Sequence, residues 1–128
     1  MDWRFTDDRP IWLQLTEQLT RRIITGVYPP GSRLPPVREL AAQAGVNPNT
    51  MQRALAQLEQ DGLAFADRTA GRLVTEDTSV LDAVRRAQAR VLIEHYYDAM
   101  AELGYSRTEA AELLKDCLLY TSDAADDT

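Results

Sequence analysis

Five polar side chains crowd into the first half of one short stretch, "GVNPNTMQRALAQLEQDG", residues 45 to 62. They are Asn47, Asn49, Thr50, Gln52 and Arg53. Asn and Gln amides match the hydrogen-bonding edge of adenine, and an Arg guanidinium matches guanine or a phosphate. The stretch has helical character. Asn47 suits a cap, Pro48 the first helical position, and Asn49 and Thr50 the rest of the first turn. Met51, Ala54, Leu55 and Leu58 form one apolar face. At about 100° per residue, Asn49, Gln52, Arg53 and Ala56 are turned away from it. The spacing therefore predicts a stiff helix start with a hydrogen-bonding edge, and free N–H groups there attract phosphate.

The elements around it must hold that edge. "PIWLQLTEQLTRRIITG" predicts a first helix, with Pro10 in its first turn and Trp12, Leu15, Leu19 and Ile23 inward, ending at Gly26. "VYPPGSRLPP" predicts a rigid loop. "PVRELAAQAG" predicts a short second helix with Val37, Leu40 and Ala41 inward and Gly45 at its end. After Asp61-Gly62, two short runs, 63–67 and 72–75, flank Thr69-Ala70-Gly71 and predict a β-hairpin. A long helix over 77–103 follows, capped by Asp77, Thr78 or Ser79. Its apolar stripe drifts from Val80 to Leu103. Gly104 ends it, and Ser106 and Glu109 form a capping box for a fifth helix. Trp3 and Trp12 are read as packing on helix one, and His95, Tyr96 and Tyr97 as core or dimer packing.

This order is that of a winged helix-turn-helix: mainly α with a small β-hairpin. Its third helix would enter the major groove of DNA. The expected domains are 1–76, the winged unit; 77–116, a two-helix dimerisation region; and 117–128, a non-native or disordered tail.

Bulk numbers bound the function. The 128 residues suit one domain with an appendage. No apolar run approaches the ~18 residues of a membrane span, and the acidic start is no signal peptide. The single cysteine, Cys117, excludes an intrachain disulfide framework or cysteine zinc site, so the cytoplasm is expected. Net charge is −6. Residues 1–76 hold nine Arg and nine acids, so all the excess acidity lies beyond them. Weak non-specific DNA affinity is expected. No phosphate loop, metalloprotease or nucleophile-elbow motif is present, so neither an enzyme, a cofactor nor a metal site is expected.

The stretch from Pro10 to Val74 resembles the GntR family of bacterial transcription regulators. "PPGSRLPPVRELA" and "GVNPNTMQRAL" carry the resemblance. The short two-helix end, with "LGYSRTEAAELLKD", is similar to the YtrA subfamily. The resemblance implies a dimeric repressor of a nearby operon, in some cases of an ABC transporter, acting on double-stranded DNA through an inverted-repeat operator, with an unidentified effector. It implies DNA contacts by Arg38, by Asn47, Asn49, Thr50 and Arg53, and at the wing by Gly71, Arg68 and Arg72. Pro36 stands where the family usually has Ser or Ala, and "RTAGR" replaces the commoner "RRGRG" wing. The alternative is a winged-helix protein–protein interaction module without specific DNA binding. The end "CLLYTSDAADD" resembles the translation of a transposon adapter used in sequencing libraries. Leu118 to Tyr120 would extend helix five by a turn, and residues 121–128 would be disordered.

Overall fold

The computed structural model describes residues 2–126, with side chains from Asp2 to Leu119. The chain forms two compact units, the first ending at Arg85 and the second beginning at Arg86.

In the first unit, α1 (Ile11–Ile24), α2 (Val37–Ala44) and α3 (Pro48–Gln60) precede a hairpin of β1 (Ala64–Asp67) and β2 (Gly71–Val74). The apolar stripes predicted for α1 and α3 meet. Leu15, Leu19, Met51, Ala54, Leu55 and Leu58 are all fully buried, joined by Leu34, Leu40, Leu63 and Val74. Burial of that kind stabilises each large side chain by roughly 1.5–3 kcal/mol. Trp12 differs from the other stripe residues of α1 in being only half-buried. Gly45 closes α2 with φ of 70°, the left-handed conformation expected of a glycine there.

Two parts of this unit go beyond the predicted elements. Ser32 to Leu34, predicted as loop, pair antiparallel with β2. Val74 N–H donates to Ser32 O at 2.9 Å, Leu34 N–H donates to Arg72 O at 2.8 Å, and Arg33 is bridged to Leu73. The wing thereby gains a third, strand-like edge. Gly31 enters it at φ of 77°, and a Cβ there would lie 2.6 Å from Glu76 Oε1. The second addition is the segment before α1. Gln14 accepts from Thr6 N–H at 2.8 Å and donates to the carbonyls of Thr6 and Arg9. Gln18 exchanges two hydrogen bonds with the Arg4 backbone. Two amides one turn apart thus strap an extended segment to α1 and seat Trp3, whose ring lies 3.6 Å from the buried Arg22 guanidinium.

Helix α4 (Thr78–Glu102) starts at Asp77, whose carboxylate accepts from Ser79 N–H and Oγ. Its first turns belong to the winged unit. Leu81 is buried in the core, Val80 and Val84 pack against it, and Arg85 donates to Ile24 O at 2.6 Å. The first unit therefore ends later than the expected 76.

In the second unit, the remainder of α4 is followed by α5 (Arg107–Asp126). Ser106 and Glu109 form the reciprocal capping box. Tyr96 donates to Ala110 O at 2.6 Å, and Arg107 pairs with Glu94 while lying 4.1 Å over Tyr97. Many apolar side chains stay exposed: Val91, Leu92, Ile93, Leu103, Leu114, Leu118 and Leu119 are each at least half accessible. The long stripe drifts around α4 and so cannot bury as one face. Helix α5 runs on to Asp126, past the residue at which disorder is predicted to begin, since no Gly or Pro interrupts residues 121–126. The rest of the predicted disordered segment, residues 127 and 128, lies outside the described residues.

Candidate nucleic-acid interface

The first turn of α3 is built by its own sequence. Asn47 lies in extended conformation, and its Oδ1 accepts from Asn49 N–H at 2.8 Å. Pro48, at the first helical position, lacks the N–H that would have gone unpaired there. Asn47 is therefore a cap first: its carboxamide oxygen already accepts one bond, and its NH2 group is left for a ligand. The helix turns its apolar face into the core, which leaves Asn49, Gln52 and Arg53 exposed and Thr50 half-buried. Among the described residues, the side chains of Asn49 and Gln52 make no hydrogen bond within the chain.

The two flanks of this edge differ. On one, Arg53 lies over the indole of Trp12, its ζ carbon 4.0 Å from the ring centroid. On the other, Glu59 reaches the wing and accepts from Arg72 Nε at 2.5 Å. Arg72 is thus engaged beside α3, its side chain only 19% exposed, whereas Arg68 in the hairpin turn is exposed. The turn itself is an Asp67 device: that carboxylate accepts from Thr69 N–H, Thr69 Oγ1 and Ala70 N–H, each at 2.9 Å. These bonds, led by the Ala70 and Thr69 amides, hold the Asp67 carboxyl below its ordinary pKa. Gly71, paired with Asp67 at the head of β2, follows at φ of 81°, a left-handed conformation that favours glycine. Arg38 is exposed on the first turn of α2.

Arg33 is the residue that pattern reading passes over. It looks like loop, but its pairing with Leu73 carries it to the wing. Its guanidinium lies 3.6 Å from where a Cβ on Gly71 would stand. A basic residue within a Pro-Gly loop is no distinctive signal.

Some charges of residues 1–76 are engaged within the chain and others are not. Glu59 is held by Arg72, Glu17 by Arg9, and Asp67 by the turn. Arg33, Arg38, Arg53 and Arg68 have no carboxylate partner among the described residues. Guanidinium groups of this kind, the α3 amides and a helix N-terminus are group types suited to polyanion contact and base-edge hydrogen bonding. No group of His, Cys, Asp or Glu among the described residues is placed to hold a metal, and none of their helices is long and apolar enough to cross a membrane.

Comparison with known proteins agrees with this architecture. The family described as "Bacterial regulatory proteins, gntR family" matches residues 12–74. The HTH-type transcriptional regulator YhcF of Bacillus subtilis is 35% identical over 115 residues, covering 90% of this chain and 95% of YhcF. The HTH-type transcriptional repressor YtrA of the same organism is 29% identical, covering 69% and 72%. The solved structure of a GntR family transcriptional regulator from Listeria monocytogenes superposes with a TM-score of 0.78 at 34% identity, covering 88% of this chain and 98% of that one. The N-terminal unit is the winged helix-turn-helix of these regulators, which are not enzymes, and the chain belongs to the GntR family of transcriptional regulators.

Proposed function

We propose that this regulator binds double-stranded DNA sequence-specifically as a homodimer in the cytoplasm, and represses a nearby operon through an inverted-repeat operator. The observation that carries the reading is the α3 edge, where Asn49 and Gln52 keep their donors and acceptors unspent beside Arg53. Major-groove recognition asks for such groups on the first turns of the second helix of the pair. Asn49, Gln52 and Arg53 read bases, with Asn47 and Thr50 at the helix start. Arg38 binds phosphate, and Arg68 and Gly71 bring the wing to the backbone.

Dimer formation is supported by the second unit. Apolar side chains such as Leu92, Leu103 and Leu114, at 56–73% exposure, exceed what a monomer ordinarily leaves in water. Two-fold pairing sets two recognition helices about one DNA turn, or a multiple, apart. The repressor role and the YtrA-like assignment rest on the likeness to YtrA. Regulation of an ABC-transporter operon is the corresponding candidate for its target.

A gel-shift titration with genomic fragments from the protein's own locus, repeated over a salt series, tests the reading. A fragment retained over competitor DNA, with affinity falling steeply in salt, is the expected result. Absence of any shift at low salt would leave the fold serving protein–protein contacts instead.

A further inference from the structure

We propose that Trp12 is a positioning residue for Arg53, holding its guanidinium in one lane beside the α3 edge and thereby sharpening base preference. The inference rests on the DNA-reading role of that edge.

Arg53 is exposed, and a free arginine on a helix surface samples many rotamers. Here its ζ carbon is 4.0 Å from the Trp12 ring centroid, within cation–π range of the aromatic that binds cations best. Both ends of the contact are anchored. Trp12 sits in the first turn of α1, just after Pro10, and Arg53 follows Met51 in α3. Leu15 and Leu55, fully buried, lie one turn on from Trp12 and Met51 and fix the two helices in the same core.

The chemistry of the contact matters. A stacked guanidinium uses its face, leaving the in-plane N–H fork for guanine or phosphate. Arg72 provides the contrast, since its carboxylate partner Glu59 occupies a donor and offsets the charge. Trp12 orients Arg53 and does neither. Trp12 is half-buried and so keeps part of its ring accessible to the Arg53 guanidinium.

The test is selection from a randomised duplex library, sequenced for the parent, Trp12→Leu, Trp12→Phe, Arg53→Ala and the double variant Trp12→Leu/Arg53→Ala. Trp12→Leu should weaken binding to the parent's selected site by about two- to fivefold, the size of an exposed cation–π contact. It should also flatten base preference at the positions that Arg53→Ala flattens. Trp12→Phe should restore most of that preference, and the double variant should be no worse than Arg53→Ala. A Trp12→Leu protein that selects the parent's sequence with undiminished preference would overturn the proposal, as would loss of preference at positions insensitive to Arg53. Should Trp12→Leu fail to fold, NMR of the free parent decides: the Arg53 Nε–H must show a ring-current shift that Trp12→Phe reduces, and an unshifted resonance overturns the stack. A parent that selects no sequence overturns the DNA reading itself, and this proposal with it.

Discussion

Replacing Glu59 by Gln should make this protein bind DNA more tightly while making it slightly less stable. Glu59 Oε1 accepts from Arg72 Nε at 2.5 Å, with the two side chains 33% and 19% exposed. A partly solvated pair of this kind contributes about 1 kcal/mol or less to folding, so the variant remains folded. The released guanidinium lies on β2 opposite Ala66, next to the Asp67–Gly71 pair that closes the turn. If it takes one phosphate, the slope of log affinity against log salt steepens by about 0.9. At about 0.1 M salt, taken relative to about 1 M, that slope corresponds to about 0.9 log units, or roughly eightfold. Fluorescence anisotropy with a labelled duplex from the protein's own locus, over a salt series, measures both quantities. Arg72→Gln should leave the slope of the parent unchanged, because Arg72 is already occupied. The double variant should return to the parent's slope. If Arg72→Gln alone flattens the slope by about 0.9, the pair opens on DNA and Arg72 is a phosphate contact already.

Asn49→Ala and Arg53→Ala should each weaken specific binding by roughly 1–3 kcal/mol and relax base preference, while Arg38→Ala weakens binding evenly and lowers the salt slope; three folded variants that bind like the parent would refute the interface. Sedimentation should show a dimer at micromolar concentration, converted to monomer by Leu92→Glu, which places a charge among Val91, Ile93 and their exposed neighbours; a stable parent monomer would refute the pairing. Truncation after Asp116 should leave DNA affinity unchanged and dimer affinity nearly so, and a large loss of either would assign the last twelve residues a role. Asp67, with its pKa lowered by the Ala70 and Thr69 bonds, stabilises the wing turn above the ordinary carboxylate range, and that contribution is lost as pH falls through the lowered value. The Thr69 and Ala70 amide resonances should follow this titration, and a titration at or above the ordinary carboxylate value would contradict the turn geometry.

What the sequence discloses about this site is local, and what it conceals is paired across the chain. The Asn47 cap, Pro48, the Gly45 turn and the Ser106–Glu109 box each act within a few residues, so type and spacing suffice to read them. The four apolar positions of α3 define the outward edge by periodicity alone, and Asn49, Gln52 and Arg53 follow from it. By contrast, Arg72 has its partner in Glu59, Arg53 in Trp12, and Arg33 in Leu73. Each of those choices is made by packing between elements distant in sequence. Nothing about an arginine's neighbours in the chain says whether it will meet a carboxylate, an indole or water. Gln14 and Gln18 illustrate the same point: at helical spacing they look like surface, yet they act as a strand edge for residues 4–9.

The start of α4 shows why element boundaries and unit boundaries come apart. Asp77 announces a helix, and its carboxylate does cap Ser79. The winged unit nevertheless continues through Arg85, because Leu81 completes the core and Arg85 donates to a carbonyl at the end of α1. A cap marks where backbone hydrogen bonding begins, whereas a unit ends where apolar burial ends. Beyond Arg85 the same helix carries Val91, Leu92 and Ile93 with at least half their surface in water. One continuous helix therefore serves the core of the DNA-reading unit with its first turns and offers an uncovered apolar surface with its later ones. On the dimeric reading, changes in α4 after Arg85 should weaken the pairing of subunits before they alter which bases are preferred, and sedimentation run beside selection from a randomised duplex library would separate the two effects.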